Sequence, residues 1–375
     1  MKKILFVFYD FDKLGKNKEN FIQRIGKYGE HYLDKYESKS TFQFVYWARN
    51  PIEISQRFEN VYFEKNGLLQ AARDLAIFFN TSIRNEDEIA IVLGDNLYSW
   101  LLVEYAKLKA KNRIVMQASF HGSLNHIEES NLVRRFLRII FTKILIHRAE
   151  SLRFVNQHQI DCLPFRVKSK RFISMIPIPL QMPTQTSRPE IRALGYLGRM
   201  HSERGLEEWL KISTELDRMQ SIDEFVIVGD GNDKNWFLSE ISKSSDSKLT
   251  YYGFINNSDI YTVFAKMSVL LSTAPSESYG LAIREAMLSG VPVVARANVV
   301  TEQLRSECPE LVFTYDTTNR AIELIVDTLF DFRLDDKKLI EFRKKYEVLS
   351  KNQLEALSDS WYQLFSAPKI ARDQQ

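Results

Sequence analysis

Short apolar runs alternate along the chain with longer stretches whose apolar positions recur at three- and four-residue spacing. The first pattern predicts buried strands and the second amphipathic helices. In the first half, Ile4–Tyr9, Phe42–Trp47, Glu88–Leu93 and Arg113–Ala118 read as strands, with Leu68–Asn80 and Tyr98–Ala110 as intervening helices. In the second half, Ala193–Gly198, Glu224–Gly229, Lys248–Gly253, Val269–Ser272, Pro292–Ala295 and Leu311–Thr314 read as strands separated by helices. Such alternation predicts an α/β protein of doubly wound parallel sheets. The stretch 176–189 carries Pro177, Pro179, Pro183 and Pro189 among polar residues and cannot continue a helix. It predicts a linker between two Rossmann-like domains, residues 1–183 and 184–350, facing a central cleft. Residues 351–375 continue a helical pattern expected to pack back on the first domain.

Inside this frame, Glu277 and Glu285 stand eight positions apart, with Ser276 and Ser278 as candidate N-caps and Gly290 as a helix stop before the run Val291–Ala295. A helix opening at a strand's C-terminal edge turns unpaired N–H groups toward a site where a phosphate fits. Glu277 then sits in the loop at the mouth, and Glu285 about 8 Å along the helix from Gly280 at 1.5 Å per residue. One acid reaches a sugar on one side of a diphosphate, the other a ribose on its far side. The alternative for two such acids is a capped amphipathic helix with solvated carboxylates. Upstream, Gly195-Tyr-Leu-Gly198-Arg199 leads through a tight turn to Arg204-Gly205-Leu206. Two guanidiniums beside a helix start can neutralise a departing diphosphate without a metal.

The block from Pro275 to Ala295 resembles the E-x7-E signature of family 4 glycosyltransferases, retaining enzymes of the GT-B fold. The resemblance implies that Glu277 bonds the donor sugar's hydroxyls and Glu285 the ribose, with Ser278, Tyr279, Gly280 and Leu281 against the donor. Arg199 and Arg204 resemble the family's paired basic residues on the diphosphate, with Gly198 in the turn. Val226-Ile-Val-Gly229-Asp230-Gly231 and Tyr251-Tyr-Gly253-Phe254 resemble its strand-end loops, behind the sugar–phosphate and along the base; Gly229 and Gly231 serve equally well as turn residues. A Gly-Gly loop usual in the family is replaced here by Asn298-Val-Val-Thr-Glu302. His121, ending a strand, resembles the histidine that contacts the transferring sugar, and Gly15 the close-approach glycine after the first strand. Asp10 and Asp12 read as turn residues rather than a metal-binding D-x-D. His126, His147, His158 and His201 fall in no metal-ligand spacing, and no metal or other cofactor is expected.

Charge changes this picture in one respect. The net charge of +3 hides 28 Lys+Arg against 19 Asp+Glu in residues 1–183, a balance of +9, beside −6 in the remainder. An anionic partner for the first half follows, a membrane face or a phosphorylated acceptor. With no recognised nucleic-acid module, nucleic acid is not expected. The segment 131–148 is basic on one side and apolar on the other, with Leu132, Phe136, Ile139, Ile140 and Phe141 on one helical face. It suits a helix packed on the sheet with its arginines in water first, and a membrane interface second. Ile4–Tyr9 is too short for a signal-sequence core, and two cysteines give no disulfide framework, so the expected location is cytoplasmic, peripheral to the inner membrane face.

The resemblance implies a hexosyltransferase moving a sugar, with retention, from a nucleotide diphosphate sugar to a glycan or lipid-linked glycan in cell-envelope polysaccharide synthesis. Two rivals differ in class: a GT-B nucleotide-sugar isomerase (epimerase), and a non-catalytic nucleotide-sugar-binding subunit.

Overall fold

The computed structural model describes residues 2–12, 14, 18–52, 54–84, 87–94, 97–110, 113–121, 132–163, 172–183, 189–245 and 248–366. Gly15 and His126 lie outside them. The chain divides into two compact units, one of residues 1–179 and 351–375, the other of residues 180–350.

The first unit holds a seven-stranded parallel sheet: β1 (Lys2–Phe8), β2 (Ser40–Ala48), β3 (Glu59–Glu64), β4 (Glu88–Leu93), β5 (Ile114–Phe120), β6 (Ser151–Phe154) and β7 (Phe172–Met175). Their spatial order is β3-β2-β1-β4-β5-β6-β7, so the winding reverses between β1 and β4. All seven residues of β5 are buried, as expected where helices cover both faces. One face is covered by α2 (Leu68–Thr81), α3 (Leu97–Lys109) and α4 (Leu132–Arg148) around Leu75, Phe79, Leu102 and Leu145. The other carries α1 (Lys18–Tyr36) and residues 354–365, where Trp361 stacks on Phe42 and its indole N–H donates to Gln117 Oε1 at 3.1 Å.

α4 packs on the sheet through its C-terminal end. Its last turns bury Leu145 and Ile146, and Phe141 meets Trp100 edge to face. Leu132, Val133, Phe136, Leu137, Ile140 and Ile144 are in solvent, with Leu132 74% and Phe136 63% exposed. No helix among the described residues is long and apolar enough to cross a membrane.

The second unit repeats the plan with β8 (Ala193–Leu197), β9 (Glu224–Val228), β10 (Leu249–Gly253), β11 (Val269–Ser272), β12 (Val293–Arg296) and β13 (Val312–Tyr315) in the order β10-β9-β8-β11-β12-β13. α5 (Gln157–Asp161) belongs to the first unit; α6 (Leu206–Arg218), α7 (Lys234–Ser245) and α11 (Thr318–Asp331) cover one face of this second sheet. α8 (Ile260–Phe264), α9 (Leu281–Ser289) and α10 (Val299–Glu307) cover the other. Winding reverses between β8 and β11, the gap where open α/β sheets bind ligands. The division between the units falls inside α12 (Asp336–Gln363).

Candidate functional site

At the C-terminal edge of β8, β9 and β10 the chain is drawn together by glycines. Gly198 N–H donates to Val228 O at 3.1 Å, and Gly229 N–H to Gly253 O at 2.8 Å. Gly229 has φ 133°, and a Cβ there would stand 1.9 Å from the Gly198 carbonyl oxygen. Only glycine allows that approach. Tyr251 Oη donates to Gly229 O at 2.9 Å, and Phe254 follows half-buried. The three glycine loops anticipated from the sequence thus form one crest beside the winding reversal.

Across that gap the loops after β8 and β11 meet. Arg204, in the short 3-10 turn Ser202–Arg204, donates from Nη1 to Glu277 Oε1 at 2.8 Å. Thr273 Oγ1 donates to the Arg204 carbonyl at 3.1 Å and pins the turn to the end of β11. Burial works against the Arg204 charge, but the Glu277 carboxylate overrides it and the guanidinium pKa rises. Tyr196 Oη donates to Arg199 O at 3.0 Å. Burial holds the proton on that phenol, and the charges of Arg204, Glu277 and Arg199 all reach it. Tyr196, absent from the sequence-derived set, is a buried neutral phenol tied to the Arg199 backbone. Its signal was weak, a tyrosine two residues before Gly198 on a buried strand. Arg199 itself has a side chain 61% exposed and pairs with Glu203 on the surface.

The helix after Glu277 opens on Gly280, not on Ser276 or Ser278. Gly280 has φ 68° and α9 begins with no side-chain cap. A left-handed N-cap excludes the extended geometry through which a serine would cap. The first helical bond runs from Arg284 N–H to Gly280 O at 2.9 Å. The N–H groups of Leu281, Ala282 and Ile283 are thus left by the helix itself for a ligand or water. Ser278 and Leu281 are half-buried at this opening. Tyr279, counted with the donor-side residues, is instead turned inward: its ring lies 4.4 Å from the Arg284 guanidinium and it is buried. Arg284 is a buried bolt that sequence reading passed over. Its Nη1 donates to Glu307 Oε2 at 2.8 Å and to Tyr346 Oη at 2.6 Å, tying α9 to α10 and α12.

Glu285 lies half-buried further along α9, and its charge reaches Tyr261, whose phenol is held protonated by burial first and by Glu285 second. Where the family's glycines are missing, Asn298 caps α10 through a reciprocal box with Thr301, and its Nδ2 donates to Ala274 O at 3.4 Å. Glu302 pairs with Arg305 at 2.9 Å on the surface. A cavity of about 580 Å³ adjoins the start of α6, lined by Gly205, Glu208, Trp236, Pro275 and Arg296 among others.

In the first unit, His121 follows β5. Burial, then Arg153 and Arg24, pull its pKa well below the ordinary imidazole value, so the ring is neutral near pH 7. Asp10 adopts φ 58° and pairs with Lys65 at 2.7 Å; Asp12 pairs with Lys18 at 2.9 Å. Both occupy a turn with basic partners. Among the described residues no group of three His, Cys, Asp or Glu side chains is placed to hold a metal.

Residues 191–330 match the family model described as glycosyl transferases group 1. The chain is 27% identical over 132 residues to an uncharacterized 41.2 kDa protein in the cps region of Klebsiella pneumoniae, covering 35% of each chain. It thus spans about a third of that relative's length. To the uncharacterized glycosyltransferase YqgM of Bacillus subtilis it is 22% identical over 268 residues, 69% of this chain and 73% of the relative. Anabaena Alr3699/HepE, solved in complex with UDP-glucose, has a similar fold: TM-score 0.67, 13% identity, with 98% of this chain and 100% of that one covered. The two parallel-sheet units have the GT-B architecture, and the group 1 match together with these relatives supports the GT-B glycosyltransferase superfamily for this chain.

Proposed function

We propose that the protein is a metal-independent, retaining hexosyltransferase of the family 4 type, moving a sugar from a nucleotide diphosphate sugar to a hydroxyl of a glycan or lipid-linked glycan. The observation that carries this reading is the Arg204–Glu277 pair beside the uncapped start of α9, at the winding reversal of the second sheet. In the transition state the anomeric C–O bond loosens and its electron pair moves onto the diphosphate. Stabilising that charge is the main task. Arg204, the N–H groups of Leu281 and Ala282, and Arg199 once released from Glu203 supply it. Glu277 orients the sugar hydroxyls while holding Arg204 in place, and Glu285 binds the ribose. Gly198, Gly229, Gly253 and Phe254 form the floor under phosphate and base. A neutral His121 offers hydrogen bonding to the transferring sugar. The acceptor hydroxyl attacks the same face that the diphosphate leaves, and the diphosphate takes its proton, so no separate general base is required.

A nucleotide sugar as donor is supported by HepE, whose structure holds UDP-glucose. A role in cell-envelope polysaccharide synthesis and peripheral attachment to the inner membrane face complete the reading. The solvent-facing apolar stripe of α4 favours the attachment over a helix merely packed on its sheet.

Thermal stabilisation by a panel of nucleoside diphosphates, followed by turnover with the matching nucleotide sugars, tests the reading, since a ligand bound by the folded state alone must raise stability. Consumption of the donor only when acceptor is added supports transfer. Conversion of the donor without acceptor indicates an isomerase, and tight binding without turnover indicates a non-catalytic subunit.

A further inference from the structure

The face of the first sheet that carries α1 holds a polar group unlike its surroundings. Along β5, Gln117 and Ser119 alternate onto this face, and His121 follows just after the strand. In the parallel register Ser119 lies opposite Arg153 of β6, whose neighbours Leu152 and Phe154 point into the core on the other side. Arg153 is 2% exposed, and its Nε and Nη2 donate to the carbonyls of Ile176 at 3.2 Å and Pro177 at 3.3 Å. Neither Arg153 nor Arg24 of α1 makes an ion pair with a carboxylate among the described residues. Tyr28, one helical turn from Arg24, sets its hydroxyl beside Arg153. Ser119 is 3% exposed and its hydroxyl has no hydrogen-bond partner.

A wholly buried guanidinium without a counter-charge is a costly arrangement that carbonyl dipoles only partly offset, and the charge of Arg24 acts on it as well. Buried hydroxyls without partners are equally exceptional. Their mutual influence shows on His121, which both arginines hold in the neutral form after burial. Arg153, Arg24 and Ser119 can each donate a hydrogen bond, and none of the three supplies a negative charge. The missing element is an anion.

We infer that Arg153, Arg24 and Ser119 form a binding site for a phosphate ester in the first unit. Arginine forks match phosphate oxygens, and the buried setting strengthens each bond. That this phosphate belongs to the acceptor rests on the transferase reading; the binding itself does not.

The test is calorimetric titration of the full chain with glycerol 3-phosphate, with neutral glycerol as control, and co-sedimentation with phosphatidylglycerol vesicles. Arg24→Gln, at a half-buried helical position that leaves the core intact, is expected to weaken glycerol 3-phosphate binding by about tenfold or more, the loss of a charge-assisted hydrogen bond. Ser119→Ala should weaken it less. Arg204→Gln should leave it unchanged while abolishing nucleoside diphosphate binding. Should no nucleoside diphosphate bind the wild type, the donor reading fails while the Arg24 comparison still decides this site. Vesicle binding that Arg24→Gln abolishes, with no response to soluble phosphate, assigns a lipid headgroup as the source of the ester. Equal binding of glycerol 3-phosphate and vesicles by wild type and Arg24→Gln, or none by either, overturns the inference and leaves Arg153 a clamp on Ile176 and Pro177.

Discussion

Arg204 and Glu277, 73 residues apart in the chain, meet through one hydrogen bond of 2.8 Å. That bond links the loop after β8 to the loop after β11, the two strands on either side of the winding reversal. In the proposed reaction, the cation assisting the departing diphosphate would be aimed by the same acid that faces the sugar.

Removing either partner should therefore damage more than its own contact. Arg204→Met is expected to lower kcat/KM about 10²- to 10³-fold, the range for losing one preorganised donor to a developing oxyanion. Glu277→Gln should fall comparably because it also releases Arg204. Steady-state kinetics of the two singles and the double variant check this: losses that multiply independently would mean the pair does not act as a unit.

Glu285 is expected to act on binding. Glu285→Ala should raise Kd for the nucleoside diphosphate about 10- to 100-fold, as for a lost charge-assisted hydrogen bond. The same variant should leave the affinity for inorganic pyrophosphate, which has no ribose, unchanged. Calorimetric titration of both ligands reads the difference directly.

Gly229→Ala places a methyl group 1.9 Å from the Gly198 carbonyl oxygen at a backbone φ of 133°. A shift of the crest is unavoidable. A loss of about 2 kcal/mol or more in unfolding free energy is expected, from strain at a special backbone position. Urea midpoints measure it. An unchanged midpoint would mean that the crest is pliable and contributes little to holding the site.

On α4, Phe136→Glu and Ile140→Glu each put a charge on the exposed stripe, where truncation disturbs no core contact. The helix itself carries five Lys and Arg and no Asp or Glu. Co-sedimentation with anionic vesicles is expected to fall several-fold in each variant, with circular dichroism unchanged. Binding that ignores both the charge of the lipid and these substitutions would remove the membrane from the proposal.

His121 gives a pH signature. Its folded pKa is depressed by burial and by Arg153 and Arg24, whereas an unfolded imidazole titrates at about 6.5. Below about pH 6.5 the unfolded chain binds a proton that the folded chain refuses, so stability is full above that pH and is lost as pH falls. The contribution is at most about 1.4 kcal/mol per pH unit. His121→Gln should flatten the fall in urea midpoint between pH 7.5 and 5. His31, also depressed by burial, should account for part of the slope that remains.

The sequence was most legible where burial is two-sided. Val293–Ala295 and Phe225–Val228 form uninterrupted apolar runs, and their strands fall within a residue of the expected limits. Three strands escaped. β6 reads Ser-Leu-Arg-Phe and hides a buried arginine in the middle of its run. β3 and β7 are edge strands with half-exposed residues, which dilute the apolar signal.

The site was legible in its punctuation rather than its partners. Glycines mark where loops approach, so Gly198, Gly229 and Gly253 were readable in advance. The pairing of Arg199 with Glu203, the inward turn of Tyr279 and the bolt made by Arg284 depend on side-chain directions that spacing does not encode. The serine caps failed for a similar reason: α9 begins with a left-handed residue, and φ is not written in composition.

The first residues of three helices also direct charge across the second sheet. Asn298 occupies the opening amides of α10 with its own carboxamide, whereas α6 and α9 start from Gly205 and Gly280 with bare amides. Among these three, an approaching anion finds vacant donors only on either side of the space separating β8 from β11. Asn298→Gly would open a competing berth one strand away, and the seat of the proposed nucleotide would become ambiguous.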